Sequence, residues 1–145
     1  FGGKVNAGNP SESLDSELIS FAEETVKKIN EKTNCKAKLF RLEDKEALRA
    51  EIADSVIFTN GTGMGMKPYV GQTYIEKDML RPDLIVSDVV YQPAKTRLLE
   101  LAEEVGCPTI NGLGMMLFQG AEAFKLWTNQ DMPIEHVKEV MGIQY

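Results

Sequence analysis

The segment SVIFTNGTGMGMKP, residues 55–68, decides the fold class of this chain. It begins with a short apolar run, Ser55 to Thr59, whose β-branched residues are typical of a strand that is covered on both faces. It continues into a loop, Asn60 to Pro68, whose glycines and proline neither a helix nor a strand would favour. A covered strand that runs into a glycine-rich loop indicates an α/β domain.

Strands and helices alternate on both sides of this segment. The predicted helices cover residues 11–32, 45–52, 95–105, 115–127 and 133–141, and the further predicted strands cover residues 37–42, 83–91 and 108–111. Ser11 or Ser13 is expected to cap the first helix, Gly106 to end the third, and Pro133 to lie in the first turn of the last. The alternation implies βαβ crossovers, so we predict a mostly parallel sheet that helices cover on both faces.

Composition excludes several classes of function. The 145 residues suit a single domain, and 43% of them are hydrophobic, which is enough for a core. The net charge of -6 argues against a nucleic-acid partner, because binding phosphates requires a basic surface. We find neither an apolar run long enough to cross a membrane nor a secretory signal, and we expect a cytoplasmic protein without a membrane partner.

The two cysteines do not indicate a metal site. Cys35 and Cys107 are far apart in the chain, and His136 is the single histidine. Zinc sites need clusters of such ligands at short spacings. We interpret both cysteines as reduced, largely buried thiols.

The candidate binding residues follow the ends of three predicted strands, in residues 60–65, 88–92 and 111–114. Ligands of open parallel sheets bind beyond the carboxyl ends of the strands, and glycines there let the backbone approach a ligand closely. Asn60 and Thr62 could offer an amide and a hydroxyl to sugar or phosphate oxygens. Taken alone, this pattern indicates an α/β domain that binds a small polar ligand.

Residues 21–141 resemble the nucleotide-binding domain of the shikimate/quinate dehydrogenase family. Four segments carry the resemblance: NGT with GMKP (residues 60–68), DVVY with Pro93, Thr96, Leu98 and Leu99, NGLGM with QGA (residues 111–121), and Phe124 with LWT (residues 126–128). The family has Asn-(Ala/Gly)-Thr, Asp-x-x-Tyr-x-Pro-x-x-Thr-x-Leu-Leu, Gly-x-Gly-Met…Gln-x-Ala and Ala-Phe-x-x-Trp-Thr in the same order. Four motifs in order are more specific than any one of them.

The resemblance implies an oxidoreductase that transfers a hydride reversibly between NADP or NAD and 3-dehydroshikimate or dehydroquinate. By position, Val89 and Gly112 match family residues whose backbones touch the nicotinamide end of the cofactor. Asn60, Thr62 and Gly63 match the family loop that lines the same cofactor. Tyr91 and Gln119 match residues that hydrogen-bond the substrate.

Other family features have no match in these residues. The catalytic lysine and aspartate and a Ser-x-Ser loop belong to an N-terminal domain, and a Gly-x-Gly-Gly-Ala loop follows the first strand of the cofactor domain. We therefore interpret residues 21–145 as the C-terminal part of a Rossmann domain, and residues 1–20 as an unmatched leader and helix start. We expect a truncated Rossmann-like sheet with exposed strand edges. Such a chain should be inactive without the N-terminal half of the enzyme.

Several alternatives stay open at this point. The sequence does not separate NAD from NADP, shikimate from quinate, or a monomer from a homodimer. A noncatalytic α/β module that binds a ligand or a partner is the alternative to an enzyme. Another small-molecule dehydrogenase that shares the fold is disfavoured by the contexts of Tyr91 and Gln119.

Overall fold

The structure is a computed structural model that describes residues 12–143, with side chains from Leu18 onward. Within the described residues the chain divides into two compact units, residues 12–50 and residues 51–143. The elements of the described residues are α1 (Glu12–Lys32), α2 (Lys45–Ala53), β1 (Ile57–Asn60), a 3₁₀ turn (Lys77–Met79), β2 (Ile85–Asp88), α3 (Arg97–Val105), β3 (Thr109–Ile110), α4 (Leu113–Thr128) and α5 (Ile134–Met141).

A three-stranded parallel sheet organises the second unit. Its order is β1-β2-β3, with Ile57 opposite Ile85 and Val86 opposite Thr109. Helix α3 connects β2 to β3 and packs against both strands. The prediction of an α/β fold with a parallel sheet flanked by helices is confirmed. Parallel pairing brings the carboxyl ends of all three strands to one edge of the sheet, where the candidate residues were expected.

The core lies between β2 and α3. Leu84 and Val86 are fully buried, and the core face of α3 contributes Leu98, Leu99 and Ala102. Each large side chain buried there stabilises the fold by about 1.5–3 kcal/mol. This burial fixes the position of β2, which becomes the central strand and carries the candidate residues at its end.

The second face of the sheet is covered less completely in the described part of the chain. Residues of a strand alternate between the two faces, so Ile57 and Ile110 lie on the face of the sheet away from Val86. Each of these two isoleucines is 53% exposed. Strand β1 forms one edge of the described sheet, and Val56 beside it is exposed as well.

The boundaries of α3 follow from its capping residues. The hydroxyl of Thr96 accepts a hydrogen bond from the amide of Leu99 at 3.4 Å. Gly106 ends the helix with a left-handed backbone, at a φ of 92°, and this confirms the predicted cap. Pro133 directly precedes α5 instead of lying in its first turn. The predicted cap Ser11 lies outside the described residues, and Ser13 lies inside α1.

The predicted strand at residues 37–42 is wrong. Residues 35–41 form neither helix nor strand. A strand exists only where a neighbouring strand completes its hydrogen bonds, and here a side chain does so instead. Asn30 of α1 accepts from the amide of Ala37 at 2.7 Å and donates to its carbonyl at 3.0 Å.

The two cysteines differ in their surroundings. Cys35 is exposed, so the prediction that both thiols are buried is wrong for this residue. Cys107 is buried, and its thiol donates to the carbonyl of Arg81 at 3.0 Å. Burial raises the pKa of Cys107, because a thiolate loses its hydration in the core.

The described residues contain neither a helix suited to crossing a membrane nor a cluster suited to a metal ion. None of the described helices is long and apolar enough to cross a membrane. Among the side chains described from Leu18 onward, no three acidic, histidine or cysteine residues are grouped so that they could hold a metal ion.

Candidate functional site

A cavity of about 770 Å³ lies beyond the carboxyl ends of β1 and β2. Its size suits a drug-sized or cofactor-sized ligand, and its lining is mostly apolar with a few polar groups, as in typical ligand sites. The lining residues are Thr62, Gly63, Met66, Lys67, Val70, Val89, Val90, Tyr91, Gln92 and Pro93. Three of the predicted cofactor residues (Thr62, Gly63 and Val89) and one predicted substrate residue (Tyr91) therefore share one cavity.

The loop after β1 is held by its own side chains. The oxygen of the Asn60 amide accepts from the Thr62 amide at 3.1 Å and from the Thr62 hydroxyl at 2.7 Å. The Asn60 nitrogen donates to the carbonyl of Met64 at 3.0 Å, and the Met64 amide donates to the Thr62 hydroxyl at 3.1 Å. The polar atoms that were expected to meet a ligand are thus already engaged, and they shape a turn that presents Thr62 and Gly63 to the cavity.

Asp88 joins this loop to the end of β2 and the start of α3. It is only 1% exposed. Its Oδ1 accepts from the side chain of Asn60 at 3.0 Å and from the amide of Val90 at 2.9 Å. Its Oδ2 accepts from the hydroxyl of Thr96 at 2.7 Å. Three donors on three segments therefore meet at a single carboxylate.

The segment from Val89 to Tyr91 is fixed on both sides of its central residue. The Val90 amide donates to Asp88, and the Val90 carbonyl accepts from the amide of Gly112 at 3.1 Å. The neighbouring side chains, Val89 and Tyr91, line the cavity on either side of this anchored residue. Tyr91 is 45% exposed, so its phenol remains accessible to a ligand.

Gly112 is required by the close approach of two backbones. A Cβ at this position would lie 2.2 Å from the carbonyl oxygen of Val89. Its φ of -78° is an ordinary helical value, so the need for glycine is steric and not conformational. The loop before α4 can lie against the end of β2 only because residue 112 has no side chain.

A second cavity, of about 550 Å³, lies between the ends of β2 and β3 and the starts of α3 and α4. Val89 and Gly112 line it, so Val89 borders both cavities. Its charged residues include Lys95 and Glu103, which form an ion pair at 2.6 Å. Because Lys95 and Glu103 neutralise each other, they offer less unpaired charge to an ionic ligand than the wall of the first cavity does.

Among the described residues, Lys67 is the one charged residue that lines the first cavity. Within the described residues its ammonium has no ion-pair or hydrogen-bond partner. An unpaired cation at the wall of a mostly apolar cavity favours a ligand with an anionic group. The sequence analysis interpreted Lys67 only as part of the GMKP motif and did not predict it as a candidate for contact with an anionic group. The motif's position directly after a strand end was the available signal.

Gln119 is separated from the other predicted residues. It is exposed on α4 and lines neither of the two cavities. Asn60 also lies outside both linings, because its amide is directed into the turn. The structure thus brings Thr62, Gly63, Val89 and Tyr91 together, and Gly112 reaches them through Val89.

Comparisons with known proteins find relatives that are similar in sequence. Residues 112–141 match the family described as the shikimate 5'-dehydrogenase C-terminal domain. The shikimate dehydrogenase (NADP(+)) of Listeria innocua is 67% identical over 121 residues, which are 83% of this chain and 42% of that protein. The chain therefore spans less than half the length of the curated relatives that it matches.

Solved structures give the same result. The shikimate 5-dehydrogenase of Listeria monocytogenes, in complex with shikimate and NAD, is 65% identical, with a TM-score of 0.78 over 84% of this chain and 43% of that chain. The quinate dehydrogenase of Corynebacterium glutamicum, in complex with NAD, is 29% identical, with a TM-score of 0.71 over 84% of this chain and 42% of that one.

The motifs, the parallel sheet and the similar proteins all indicate a relationship to the same family. Relatives named as shikimate dehydrogenases match this chain in sequence, and the fold of a crystal structure with the same name matches it as well. The sequence resemblance is confirmed. The chain is similar to the C-terminal part of the shikimate dehydrogenases, and its residues 112–141 match the C-terminal domain of that family.

Proposed function

We propose that this chain is the cofactor-binding part of an enzyme that reduces 3-dehydroshikimate, or dehydroquinate, reversibly with NADP or NAD. In this proposal residues 21–145 form the C-terminal part of a Rossmann domain, and residues 1–20 precede the matched part. The catalytic lysine and aspartate belong to the N-terminal half of the enzyme. The chain alone is then inactive, and its place is the cytoplasm.

The observation that carries the proposal is the shared cavity. Groups proposed for the cofactor (Thr62, Gly63 and Val89) and for the substrate (Tyr91) line the same space of about 770 Å³. A hydride moves only between atoms in contact, so cofactor and substrate sites must adjoin. A single cavity lined by both sets of residues meets this requirement.

Each residue has a distinct proposed role. Val89 supplies an apolar wall for the flat nicotinamide end of the cofactor, next to the Gly112 backbone. Thr62 and Gly63, held in the Asn60 turn, bound the opposite side. Tyr91 hydrogen-bonds the substrate through its phenol, which can donate and accept. Gln119 is proposed to reach the substrate from α4, although it lies outside the cavity lining.

The residues present fit a nicotinamide dinucleotide. The cavity wall combines aliphatic side chains with a glycine loop, which allows a planar ring to lie against backbone and apolar atoms. When bound, the cofactor supplies the hydride. The protein's own part is to exclude water with Val89 and Val90, to orient the substrate through Tyr91, and to attract anionic groups with Lys67.

The remaining surface supports a larger assembly. Leu126 and Trp127 of α4 are more than three-quarters exposed, which is unusual for large apolar side chains. The relatives are about twice as long as this chain, and we propose that the rest of the same protein covers these residues. A homodimer is the second arrangement, and the oligomeric state of the complete protein in solution distinguishes the two.

The test is an oxidation assay with the complete protein that carries this chain. Shikimate and quinate are each offered with NAD and with NADP, and reduced nicotinamide is followed by its absorbance. We expect turnover with at least one pair. Tyr91→Phe removes one hydrogen bond to the substrate and should raise the substrate KM about tenfold while the KM of the cofactor changes little.

The matched control is Tyr74→Phe, the same change at a tyrosine outside the lining of the described cavities. It should leave the substrate KM unchanged. Absence of turnover with all four pairs would refute the proposed function and favour a noncatalytic binding module. An unchanged KM in Tyr91→Phe would refute the role of that residue alone.

A further inference from the structure

The carboxylate of Asp88 is fully occupied by the protein. It is 1% exposed, and its three hydrogen bonds come from the Asn60 side chain, the Val90 amide and the Thr96 hydroxyl. These donors lie at the end of β1, in the segment after β2 and at the start of α3. No other carboxylate of the described residues is buried in this way.

We propose that Asp88, oriented by Thr96, is a positioning residue that fixes the cofactor loop and the substrate tyrosine relative to each other. The inference rests on the proposed function, and it assigns a role to two residues that contact neither ligand in that proposal. It predicts that the two loops depend on one hydroxyl at the start of α3.

The two carboxylate oxygens of Asp88 accept hydrogen bonds from different donors, and this difference supports the inference. Thr96 donates to Oδ2, which sets the rotation of the carboxylate. Oδ1 then faces both loops and accepts from Asn60 and Val90 at 3.0 Å and 2.9 Å. Hydrogen bonds to an ionised carboxylate inside a protein are stronger than neutral ones, so each donor is held tightly.

The hydrogen bonds reach residues of the cavity wall within two positions on each side. Asn60 accepts from both the amide and the hydroxyl of Thr62, which lines the cavity. Val90 lies between Val89 and Tyr91, and Gly112 binds its carbonyl from the other side. A change in the orientation of Asp88 would therefore move the walls proposed for the cofactor and for the substrate together.

The packing of Thr96 adds a second contact with the cofactor loop. Gly65 has a φ of +98°, and a Cβ there would lie 3.1 Å from both Cβ and Cγ2 of Thr96. The backbone of the loop thus lies close against the Thr96 side chain. The hydroxyl of Thr96 orients Asp88 while its methyl group supports the loop, so the two functions can be separated by substitution.

The experiment uses the complete protein and three variants at this site. Thr96→Val keeps the shape and removes the hydroxyl, Thr96→Ser keeps the hydroxyl and removes the methyl group, and Asp88→Asn removes the charge. Two controls lie elsewhere. Thr128→Val removes a hydroxyl that donates to Phe124 at an exposed position of α4, and Leu98→Ala destabilises the core of α3 without touching the carboxylate.

The first readout is amide hydrogen exchange, which does not depend on activity. In Thr96→Val the amides of Thr62, Met64 and Val90 should exchange about tenfold faster, because each donates within the network. In Thr96→Ser these amides should exchange at the wild-type rate, because the hydroxyl is kept. Asp88→Asn should accelerate hydrogen exchange at the same amides. Neither control should accelerate these amides selectively relative to the rest of the chain.

The second readout separates kcat from binding. Thr96→Val should lower kcat about tenfold, because misplaced reactants lose alignment, while the dissociation constant of the cofactor measured alone changes less than threefold. Leu98→Ala should lower the melting temperature without lowering kcat at temperatures far below it. A purely structural role of Thr96 would give the same pattern as Leu98→Ala.

The outcomes distinguish this inference from the proposed function. Unchanged exchange of the three amides in Thr96→Val, or the same acceleration in Leu98→Ala, would overturn the positioning role. A wild-type protein without turnover would refute the proposed function, and the exchange experiment would then decide alone whether Asp88 and Thr96 connect the two loops.

Discussion

Replacing Gly112 with alanine tests how closely the end of β2 and the start of α4 are packed. The added Cβ would lie 2.2 Å from the oxygen of Val89, 2.6 Å from its carbonyl carbon and 2.8 Å from the carbonyl carbon of Val90. Ordinary contacts begin near 3.4 Å, so one backbone must move by about 1 Å. All three neighbouring atoms are main-chain atoms, which cannot rotate away as a side chain would.

The cost follows from this displacement. Overpacking costs about 1–3 kcal/mol, and loss of the hydrogen bond from the Gly112 amide to the Val90 carbonyl adds about 1 kcal/mol. We expect the free energy of unfolding to fall by about 3 kcal/mol and the melting temperature by about 10 °C. Urea unfolding followed by circular dichroism measures this change.

The matched control is Gly120→Ala in α4. A Cβ at Gly120 meets no heavy atom within 4 Å, and alanine is the better helix former, so this variant should be stabilised by about 0.5–1 kcal/mol. The reasoning would be refuted if Gly112→Ala unfolded at the wild-type urea midpoint. It would also fail if both alanine variants changed stability in the same direction.

Three further predictions concern single side chains. Arg81→Met should lower the free energy of unfolding by about 1–2 kcal/mol, because the guanidinium donates to the main-chain carbonyls of Ile52, in the last turn of α2, and of Ser55, just after it. Wild-type stability in urea would contradict this. The raised pKa of Cys107 predicts stability that is complete below the unfolded thiol pKa of about 8.5 and is lost as the pH rises toward the folded pKa. Unfolding midpoints between pH 7 and pH 10 should show this loss in the wild type and not in Cys107→Ala. In the complete protein of the proposed function, Lys67→Gln should raise the KM for shikimate, a carboxylate, about fivefold at low salt, with a smaller effect in high salt. An unchanged KM would show that Lys67 does not contribute to substrate binding.

The local elements of this protein could be predicted because their signals are local. The β-branched runs before Asn60 and Asp88 became β1 and β2, although each strand is shorter than predicted. Helix α3 was recognised from its apolar period and from Gly106, which terminates it. Periodicity and capping depend on residues within about one turn of each other, so one sequence contains that information.

The sequence also revealed the motifs of the candidate site, but it did not reveal the physical roles of the residues in them. The sequence predicted that the ends of β1 and β2 carry binding residues, and Thr62 and Tyr91 do line one cavity. It interpreted the Asn60 amide as a ligand contact, whereas the structure directs this amide to Asp88, 28 positions later in the chain. Such a pair has no signal in spacing, because only folding brings the two segments together.

Contacts between residues that are far apart in the chain separate what the sequence determined from what only the tertiary structure decided. The sequence by itself determined the α/β class, the helices and the family motifs, since each of these depends on short segments. Only the tertiary structure decided that residues 35–41 form no strand, that Gln119 lies outside both cavities, and that Asp88 collects donors from three segments. The physical reason is that strands and buried polar groups are stabilised by partners distant in the chain, and the presence of those partners is a property of the whole fold.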